Sequence, residues 1–248
     1  MDISKVRPVL NRNAPQFIIV YWEFSCSLSY LTYILHKQNI KIYNVMHGDK
    51  HFYAKHAFFE VDKCFCWNEY YITLFKSVHA RSEFIPFENP AFKITSEETK
   101  WLNENKPDKI GIVAPHTSTL TDNPVELRTY VIKFSQIINN LALKYDVIIR
   151  THPHYNDDFN IFLKYLSKSI TIERPSQREA RLFILESRII IGTVSSILIE
   201  AANLNKNVIT IDTPAIETFQ NYHYMYNLPN VHNSNLNCLY EKVCSLQI

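Results

Sequence analysis

The stretch from Arg188 to Thr213, RIIIGTVSSILIEAANLNKNVITIDT, constrains the fold more than any other part of the chain. An apolar run ends at Gly192 and leads into a hydroxyl-rich turn, which is the pattern of a short strand buried on both faces. Apolar residues then recur at helical spacing, and a second apolar run covers residues 208–211. The apolar positions of the helix are Ile197, Ala201 and Leu204. The stretch therefore predicts the βαβ unit of a parallel sheet.

The turn of this unit carries hydroxyl groups at a place where anions bind. Thr193, Ser195 and Ser196 follow the strand, so they lie at the carboxyl edge of the sheet and at a helix N-terminus. Ser195 or Ser196 stands at the N-cap, and Glu200, just over one turn into the helix, can reach a sugar or ribose hydroxyl. A plain helix cap with a solvated Glu200 explains the same residues, so the stretch by itself leaves both interpretations open.

Strand and helix patterns alternate along the rest of the chain as well. The other predicted strands cover residues 16–21, 41–46, 61–67, 84–86, 109–114, 146–150 and 170–172. The other predicted helices cover residues 27–37, 69–77, 96–105, 125–145, 159–167, 177–186 and 236–246. Strands that alternate with helices of this length are typical of parallel sheets.

Residues 87–108 mix proline, asparagine and charge, and they divide this pattern into two halves. We therefore predict an α/β fold of two Rossmann-like parallel-sheet domains that face a cleft, with the N-terminal domain the smaller. The predicted boundaries are 1–95 for the first domain, 96–235 for the second and 236–248 for a C-terminal helix.

Composition excludes several classes of protein. The 26 Lys and Arg residues nearly cancel the charge of the 24 Asp and Glu residues, so the net charge gives no indication of nucleic-acid binding. Only three glycines occur, far apart, which excludes both the GxGxxG turn and the Walker loop. Five cysteines without a CxxC pair do not resemble a disulfide framework and favour a reducing cytoplasm. We expect no signal peptide and no membrane span, and contact with the inner face of a membrane stays open.

Two further strands of the second half end in loops rich in hydrogen-bond donors. The first loop contains His116, Thr117, Ser118 and Thr119, and the second contains Thr151, His152, Pro153 and His154. Because functional loops follow the strands of a parallel sheet, we expect these loops to converge with the turn after Gly192. Pro153 keeps His152 out of the helical region, and an imidazole fixed there can donate to a phosphate oxygen or cap the next helix.

A metal site is not expected. His152 and His154 have no third ligand at a recognisable spacing, and Cys64 and Cys66 have no further ligands either. No Asp-x-Asp pair occurs in the chain.

The candidate general base lies in the first half. His47 ends a predicted strand and precedes Gly48, so we expect it to project from the sheet edge, where a neutral imidazole can accept a proton near neutral pH. A structural histidine at a strand end explains the position equally well. Glu23 and Asp49 are the competing bases.

With these residues identified, the second half resembles the C-terminal domain of two-domain (GT-B) glycosyltransferases. It is most similar to the bacterial sialyltransferase, polysialyltransferase and Kdo-transferase group, which carries a His-Pro motif and a Ser-Ser motif. Residues 150–153, Arg-Thr-His-Pro, and residues 193–196, Thr-Val-Ser-Ser, match these motifs, and the resemblance covers roughly residues 109–213. It implies that a CMP-activated sugar binds here. It implies that His152, Ser195 and Ser196 hold the phosphate of that sugar and that the loop of residues 117–119 lies near the nucleotide. Together with the residues identified above, the predicted nucleotide-binding residues are Arg150, His152, Pro153, Thr117, Ser118, Thr193, Ser195, Ser196 and Glu200.

Two other resemblances leave the nucleotide open. The acidic pair that this group has in its first domain is missing, and the His47–Gly48 pair that stands there is similar to CDP-glycerol glycerophosphotransferases. The helix after Ser196 resembles the Glu-Ala-x-x-x-Gly-x-Pro-Val run of UDP-sugar enzymes, with Asn205 and Asn207 in place of Gly and Pro.

The resemblance implies an inverting, metal-independent transfer of a sialic acid or Kdo-type sugar to a bacterial surface glycan. The expected partners are a nucleotide sugar and a glycan acceptor. We expect no further cofactor and no nucleic acid, and the sequence leaves the oligomeric state open. The alternatives are a CDP-glycerol-type polyol-phosphate transferase, a UDP-sugar transferase or epimerase, and a glycan-binding or scaffold subunit without catalysis.

Overall fold

The computed structural model describes residues 15–21, 26–48, 50, 58–117, 120–152, 159–193, 195–212 and 224–246. The chain divides into two compact units, Met1–Pro90 and Ala91–Ile248. The strands are β1 (Phe17–Val20), β2 (Lys41–Val45), β3 (Glu60–Cys66), β4 (Arg81–Pro86), β5 (Lys109–Val113), β6 (Val147–Arg150), β7 (Thr171–Glu173), β8 (Ser187–Gly192), β9 (Asn207–Ile211) and β10 (Val231–Ser234). The helices are α1 (Cys26–His36), α2 (Glu69–Ser77), α3 (Ser96–Glu104), α4 (Pro124–Ala142), α5 (Asn160–Leu163), α6 (Ala180–Glu186), α7 (Ser196–Asn203) and α8 (Leu239–Ser245).

The first unit contains a four-stranded parallel sheet in the order β1-β2-β3-β4. Because the strand order follows the chain and parallel crossovers are right-handed, its helices lie on one face of the sheet. Helix α1 packs on β2 and β3, and α2 packs on β3 and β4. Ile42 and Cys64 are fully buried beneath these helices, and Phe84 stacks on Phe75 of α2 at 5.6 Å between ring centroids.

The described helices leave the opposite face of this sheet uncovered. Alternate strand residues point to that side, where Phe17 stacks on Tyr43 at 5.4 Å and Tyr43 meets Phe65 edge to face at 6.4 Å between centroids. We call this surface the open face and define it by Phe17, Ile19, Tyr43, Phe65 and Ile85. Ile19 is 61% exposed there, so the first unit presents apolar and aromatic side chains to solvent.

The second unit contains a six-stranded parallel sheet in the order β10-β9-β8-β5-β6-β7. The chain enters at β5 in the centre, adds β6 and β7 on one side, and then returns to place β8 on the other side of β5. Strands β5 and β8 pair directly, with Ile112 opposite Ile191. The boundary between them is the topological switch point, where ligands of open α/β sheets bind.

Helices cover both faces of this second sheet. Helix α6 packs on β5 and β8, and α7 packs on β8 and β9, whereas α4 packs on β6, α5 and α8. The two groups lie on opposite faces because right-handed crossovers run outwards from β5 in both directions. The isoleucines of β5 and β8 are fully buried between the layers, and Leu239 and Val243 of α8 join the same core. Both sheets are parallel, and the predicted α/β architecture is confirmed.

Several predicted elements were wrong in extent. The helix predicted for residues 159–167 is only the short α5, because the Asn139 side chain of α4 accepts from the Ser167 N–H at 2.8 Å and donates to the Tyr165 carbonyl at 2.9 Å. The helix predicted for residues 177–186 begins at Ala180, because the Gln177 side chain accepts the backbone N–H of Arg174 at 2.7 Å. Strand β10 was not predicted.

Candidate functional site

The switch point is built around a close approach of β8 to β5. A Cβ atom at Gly192 would lie 3.0 Å from Cβ of Val113 and 3.2 Å from Cδ1 of Leu198. Glycine therefore allows the end of β8 to lie against both β5 and the first turn of α7. Only residues 193–195 separate β8 from the helix, so the N-terminus of α7 lies at the sheet edge.

Ser195 is the N-cap of α7, which decides between the two serines that the sequence left open. Its backbone is extended, with φ −155° and ψ 163°, and its hydroxyl accepts the N–H of Leu198 at 3.5 Å. Ser196 is the first helical residue and is exposed. The first N–H groups of a helix have no partner within the helix, so those of Ser196 and Ile197 are available to a ligand, and the helix dipole favours an anion there.

The loops after β5 and β6 meet through two histidines. The ring centroids of His116 and His152 lie 4.7 Å apart with the rings tilted by 61°. Both side chains are half-buried. Thr117 follows His116, and its carbonyl accepts a hydrogen bond from the Leu120 N–H at 3.1 Å. Because β6, β5 and β8 are neighbours about 4.8 Å apart, the turn that contains Thr193 and Ser195 begins one strand away from the loop of His116.

The side chain of Arg150 belongs to a buried ion-pair network. Its guanidinium is paired with Glu173 and donates to the Arg178 carbonyl at 2.8 Å, and only 5% of the side chain is exposed. Arg178 in turn bridges Glu173 and Glu186, and the hydrogen bond with Glu186 raises the pKa of Arg178. These contacts hold β6, β7 and α6 together, and a role of Arg150 at a nucleotide stays a prediction.

The carboxylate of Glu200 is also engaged within the protein. Arg181 donates to Glu200 at 3.0 Å and to the two carboxylate oxygens of Glu98 at 2.7 and 2.9 Å. Hydrogen bonds from Arg181 lower the pKa of Glu98 to about 2, whereas burial raises the pKa of Glu200. The cluster joins α3, α6 and α7, and contact of Glu200 with a sugar or ribose hydroxyl stays a prediction.

The candidate base of the first unit lies at the carboxyl edge of its sheet. His47 follows β2, is exposed, and has its ring centroid 6.0 Å from that of Tyr21, which follows β1. Gly48 has φ 65°, a conformation that favours glycine, so the chain turns away directly after the histidine. Proton transfer by His47 stays a prediction. The predicted site residues Glu23, Asp49, Ser118 and Pro153, together with His154, lie outside the described residues.

Comparison of the sequence with protein-family models and with curated proteins finds no match, but solved structures match the chain in fold. The UDP-GlcNAc 2-epimerase of Methanocaldococcus jannaschii, in complex with UDP-GlcNAc and UDP, has a TM-score of 0.64 at 15% identity over 98% of this chain and 72% of that one. The UDP-GlcNAc 2-epimerase of Neisseria meningitidis, bound to UDP-GlcNAc, has a TM-score of 0.57 at 16% identity over 98% and 71%. The fold is of the GT-B type.

A variant of the wall teichoic acid polymerase TagF, soaked with CDPG, matches as well. Its TM-score is 0.58 at 13% identity, over 92% of this chain and 63% of that one, so the chain spans less than two thirds of the polymerase. The resemblance to the sialyltransferase group stays a prediction. The epimerases and the polymerase are similar to the chain in fold.

The sequence analysis named His116 only as a member of a donor-rich loop and did not predict its contact with His152. His116 follows β5 by three positions, as His152 follows β6 by two, and this similar placement was the sequence signal that could have identified it.

Among the described residues, no group of three or more His, Cys, Asp or Glu side chains is arranged to hold a metal ion. None of the helices in the described ranges is long and apolar enough to cross a membrane.

Proposed function

We propose that the chain is an enzyme acting on a nucleotide-activated sugar, and that the loops after β5, β6 and β8 bind the phosphates of the nucleotide. One observation carries the proposal. The paired imidazoles of His116 and His152 and the Ser195-capped start of α7 follow three neighbouring strands at the switch point of a GT-B sheet. This is the position at which open α/β sheets bind ligands, and the donors there suit an anion.

The number of donors favours a diphosphate over a single phosphate. The N–H groups of Ser196 and Ile197 and the hydroxyl of Thr193 can serve one phosphate, and the imidazoles of His116 and His152 can serve a second. The similar structures that contain UDP, UDP-GlcNAc or CDPG support the same preference. We therefore place a UDP-activated sugar first, a CDP-activated polyol second and a CMP-activated sialic acid or Kdo-type sugar third.

In a transfer reaction these groups act on the leaving nucleotide. The acceptor oxygen attacks the anomeric carbon, the bond from that carbon to the phosphate oxygen breaks, and the negative charge that develops on the phosphate is stabilised by the helix dipole and the imidazoles. The acceptor proton passes to a base, for which His47 is the proposed group and Glu23 and Asp49 are the alternatives. An epimerase would use the same phosphate site, and a bacterial surface glycan is the proposed acceptor of a transferase.

Nucleotide affinity tests the phosphate site directly. We expect calorimetric titration to give tighter binding of UDP than of CMP, and His152→Ala to weaken UDP binding about tenfold through loss of a charge-assisted hydrogen bond. His36→Ala, which removes an exposed histidine paired with Asp62 in the first unit, is the control and should leave the affinity unchanged. Equal affinities of wild type and His152→Ala would contradict the site.

A pair of helix caps separates binding from stability. Ser195 caps α7, and Thr95 caps α3 in the same unit by accepting the Glu98 N–H at 3.2 Å. Replacing either by alanine should lower the free energy of unfolding by about 1 kcal/mol. Only Ser195→Ala should also weaken UDP binding, since only that cap lies at the switch point.

Activity decides between an enzyme and a binding subunit. Incubation with UDP-GlcNAc, a CDP-activated polyol and a CMP-activated sialic acid should release the nucleotide from one donor or convert its sugar, as followed by chromatography. A protein that binds no nucleotide but retains glycan binding would favour the subunit without catalysis.

A further inference from the structure

A cavity lies at the carboxyl edge of the outer strands, beside helix α8. It has a volume of about 490 Å³ and lies where β9 and β10 end. Asp212 directly follows β9 and Asn235 directly follows β10, and the Asp212 N–H donates to the Ser234 carbonyl at 2.9 Å, which holds the two strand ends together. Polar side chains from both strand ends and from α8 line the cavity.

Helix α8 turns a polar stripe towards this cavity. Cys238 at the N-cap, Glu241, Lys242 and Ser245 line it, and their spacing of three, four and seven residues places them on one face of the helix. The opposite face carries Leu239 and Val243, which are fully buried in the core of the second unit. The apolar stripe therefore fixes the helix rotation, and the polar stripe is held against a concave surface.

The groups on this surface suit hydroxyl-rich ligands. Within the part of the chain that the structure describes, the carboxylate of Glu241 and the ammonium group of Lys242 form no ion pair, and the amide nitrogen of Asn233 has no hydrogen-bond partner. Carboxylate and amide oxygens accept from hydroxyl groups, and ammonium and amide nitrogens donate to them. Asp212 and Glu241 outnumber Lys242, so the lining carries an excess of one negative charge and disfavours an anionic ligand.

The cavity is close to the proposed phosphate site. Strands β8, β9 and β10 are neighbours in the sheet, with Gly192 opposite Thr210 and Ile211 opposite Ser234. At about 4.8 Å per strand, the ends of β9 and β10 lie about 5 and 10 Å to the side of the turn after Gly192. One or two sugar rings can bridge such a separation.

We propose that this cavity binds a neutral, hydroxyl-rich ligand, namely a glycan segment without acidic groups. Glycan binding is independent of the site at the switch point, whereas the role of that glycan as part of the substrate rests on the proposed function. The negative excess also distinguishes the site from one for sialic acid, whose carboxylate would be repelled by Asp212 and Glu241.

Saturation-transfer NMR without nucleotide tests the assignment, with N,N′-diacetylchitobiose as the neutral probe and N-acetylneuraminic acid as the anionic probe. We expect saturable binding of the neutral probe and at least about threefold weaker binding of the anionic one. Glu241→Lys should reverse this preference. Glu97→Lys is the matched control, since Glu97 is also exposed in the first turn of a helix of the same unit, and it should bind as wild type does.

The outcomes separate the cavity from the phosphate site. Absence of binding of the neutral probe, or an unchanged preference in Glu241→Lys, overturns the glycan assignment. Binding of the neutral probe to a protein that binds no nucleotide supports the cavity and overturns the proposed function alone. Ser195→Ala should leave the affinity for the neutral probe unchanged.

Discussion

Replacing Arg181 by alanine is expected to destabilise the second unit in a pH-dependent way. The guanidinium binds Glu98 at 2.7 and 2.9 Å and Glu200 at 3.0 Å, and it also donates to the carbonyl groups of Ala91 and Lys93. About a fifth of each of the three charged side chains is exposed, with values of 19% for Arg181, 19% for Glu98 and 21% for Glu200. The cluster is therefore well shielded from solvent.

The pKa shift of Glu98 sets the size of the expected loss of unfolding free energy. Its pKa falls from 4.5 to about 2, chiefly because of the hydrogen bonds from Arg181. At about 1.4 kcal/mol for each pKa unit, this interaction stabilises the fold by at most about 3.5 kcal/mol, and residual exposure reduces the value to about 2 kcal/mol. Removal of the guanidinium also leaves Glu200 buried without its cation. We expect Arg181→Ala to lower the free energy of unfolding by about 3 kcal/mol near neutral pH.

The two carboxyl groups have opposite pH dependence. Since the folded state lowers the pKa of Glu98, its contribution is fully present above 4.5 and is lost as the pH falls towards about 2. Burial raises the pKa of Glu200, so its contribution is present at low pH and is lost as the pH rises through its folded pKa. On acidification the Glu98 pair disappears and Glu200 becomes neutral, so the difference between wild type and Arg181→Ala should shrink.

Urea unfolding at neutral and acidic pH measures this difference, and hydrogen exchange of the α3 amides localises it. The amides of Thr99 and Asn105, bonded to the Thr95 and Trp101 carbonyls, should exchange faster in Arg181→Ala. The control Arg174→Ala removes an exposed arginine of the same unit and should change the free energy of unfolding by less than about 0.5 kcal/mol. A variant as stable as this control, or a difference that stays constant down to acidic pH, would refute the reasoning.

Three further predictions concern packing, a buried cation and the open face. Gly111→Ala should lower the free energy of unfolding by about 1–3 kcal/mol in urea titrations, because its Cβ would lie 2.3 Å from Oγ of Ser187. Burial lowers the pKa of Lys206 from 10.5 to about 8, so between pH 8 and pH 10.5 the folded state binds fewer protons than the unfolded state. The free energy of unfolding of the wild type should therefore rise with pH across this range, and that of Lys206→Met should not. Ile42→Ala should cost about 2–4 kcal/mol of unfolding free energy and Ile19→Ala about 0.5 kcal/mol or less, because Ile42 is fully buried and Ile19 is 61% exposed.

Local pattern was sufficient wherever a helix or strand carried its own signals. The helix predicted for residues 69–77 has these bounds in the structure, where the Asn68 side chain caps it by accepting the Tyr70 N–H at 3.0 Å. Strand β8 was predicted from its run of isoleucines because a strand buried on both faces is apolar throughout. β10, with the sequence Val-His-Asn-Ser, has no such pattern and exists because β9 offers it a partner.

For the candidate site too, some features could be predicted from the sequence and others could not. The sequence placed His152 and Ser195 in loops after strands, and the tertiary structure made those strands, β6 and β8, the two neighbours of β5. The sequence could not assign partners to Arg150 and Glu200. Their guanidinium and carboxylate groups pair with Glu173 and Arg181, which are distant along the chain.

The sequence by itself determined the alternation of strands and helices, the parallel character of both sheets and the hydroxyl- and histidine-rich loops, because apolar periodicity, caps and turns act over a few residues. Only the tertiary structure decided which strands are neighbours, which histidine faces which, and which charged groups are paired inside the protein. It also created the cavity beside α8. Those features depend on contacts between residues far apart in the chain, and their free energy comes from burial and from ion pairs that exist only after the sheet has assembled.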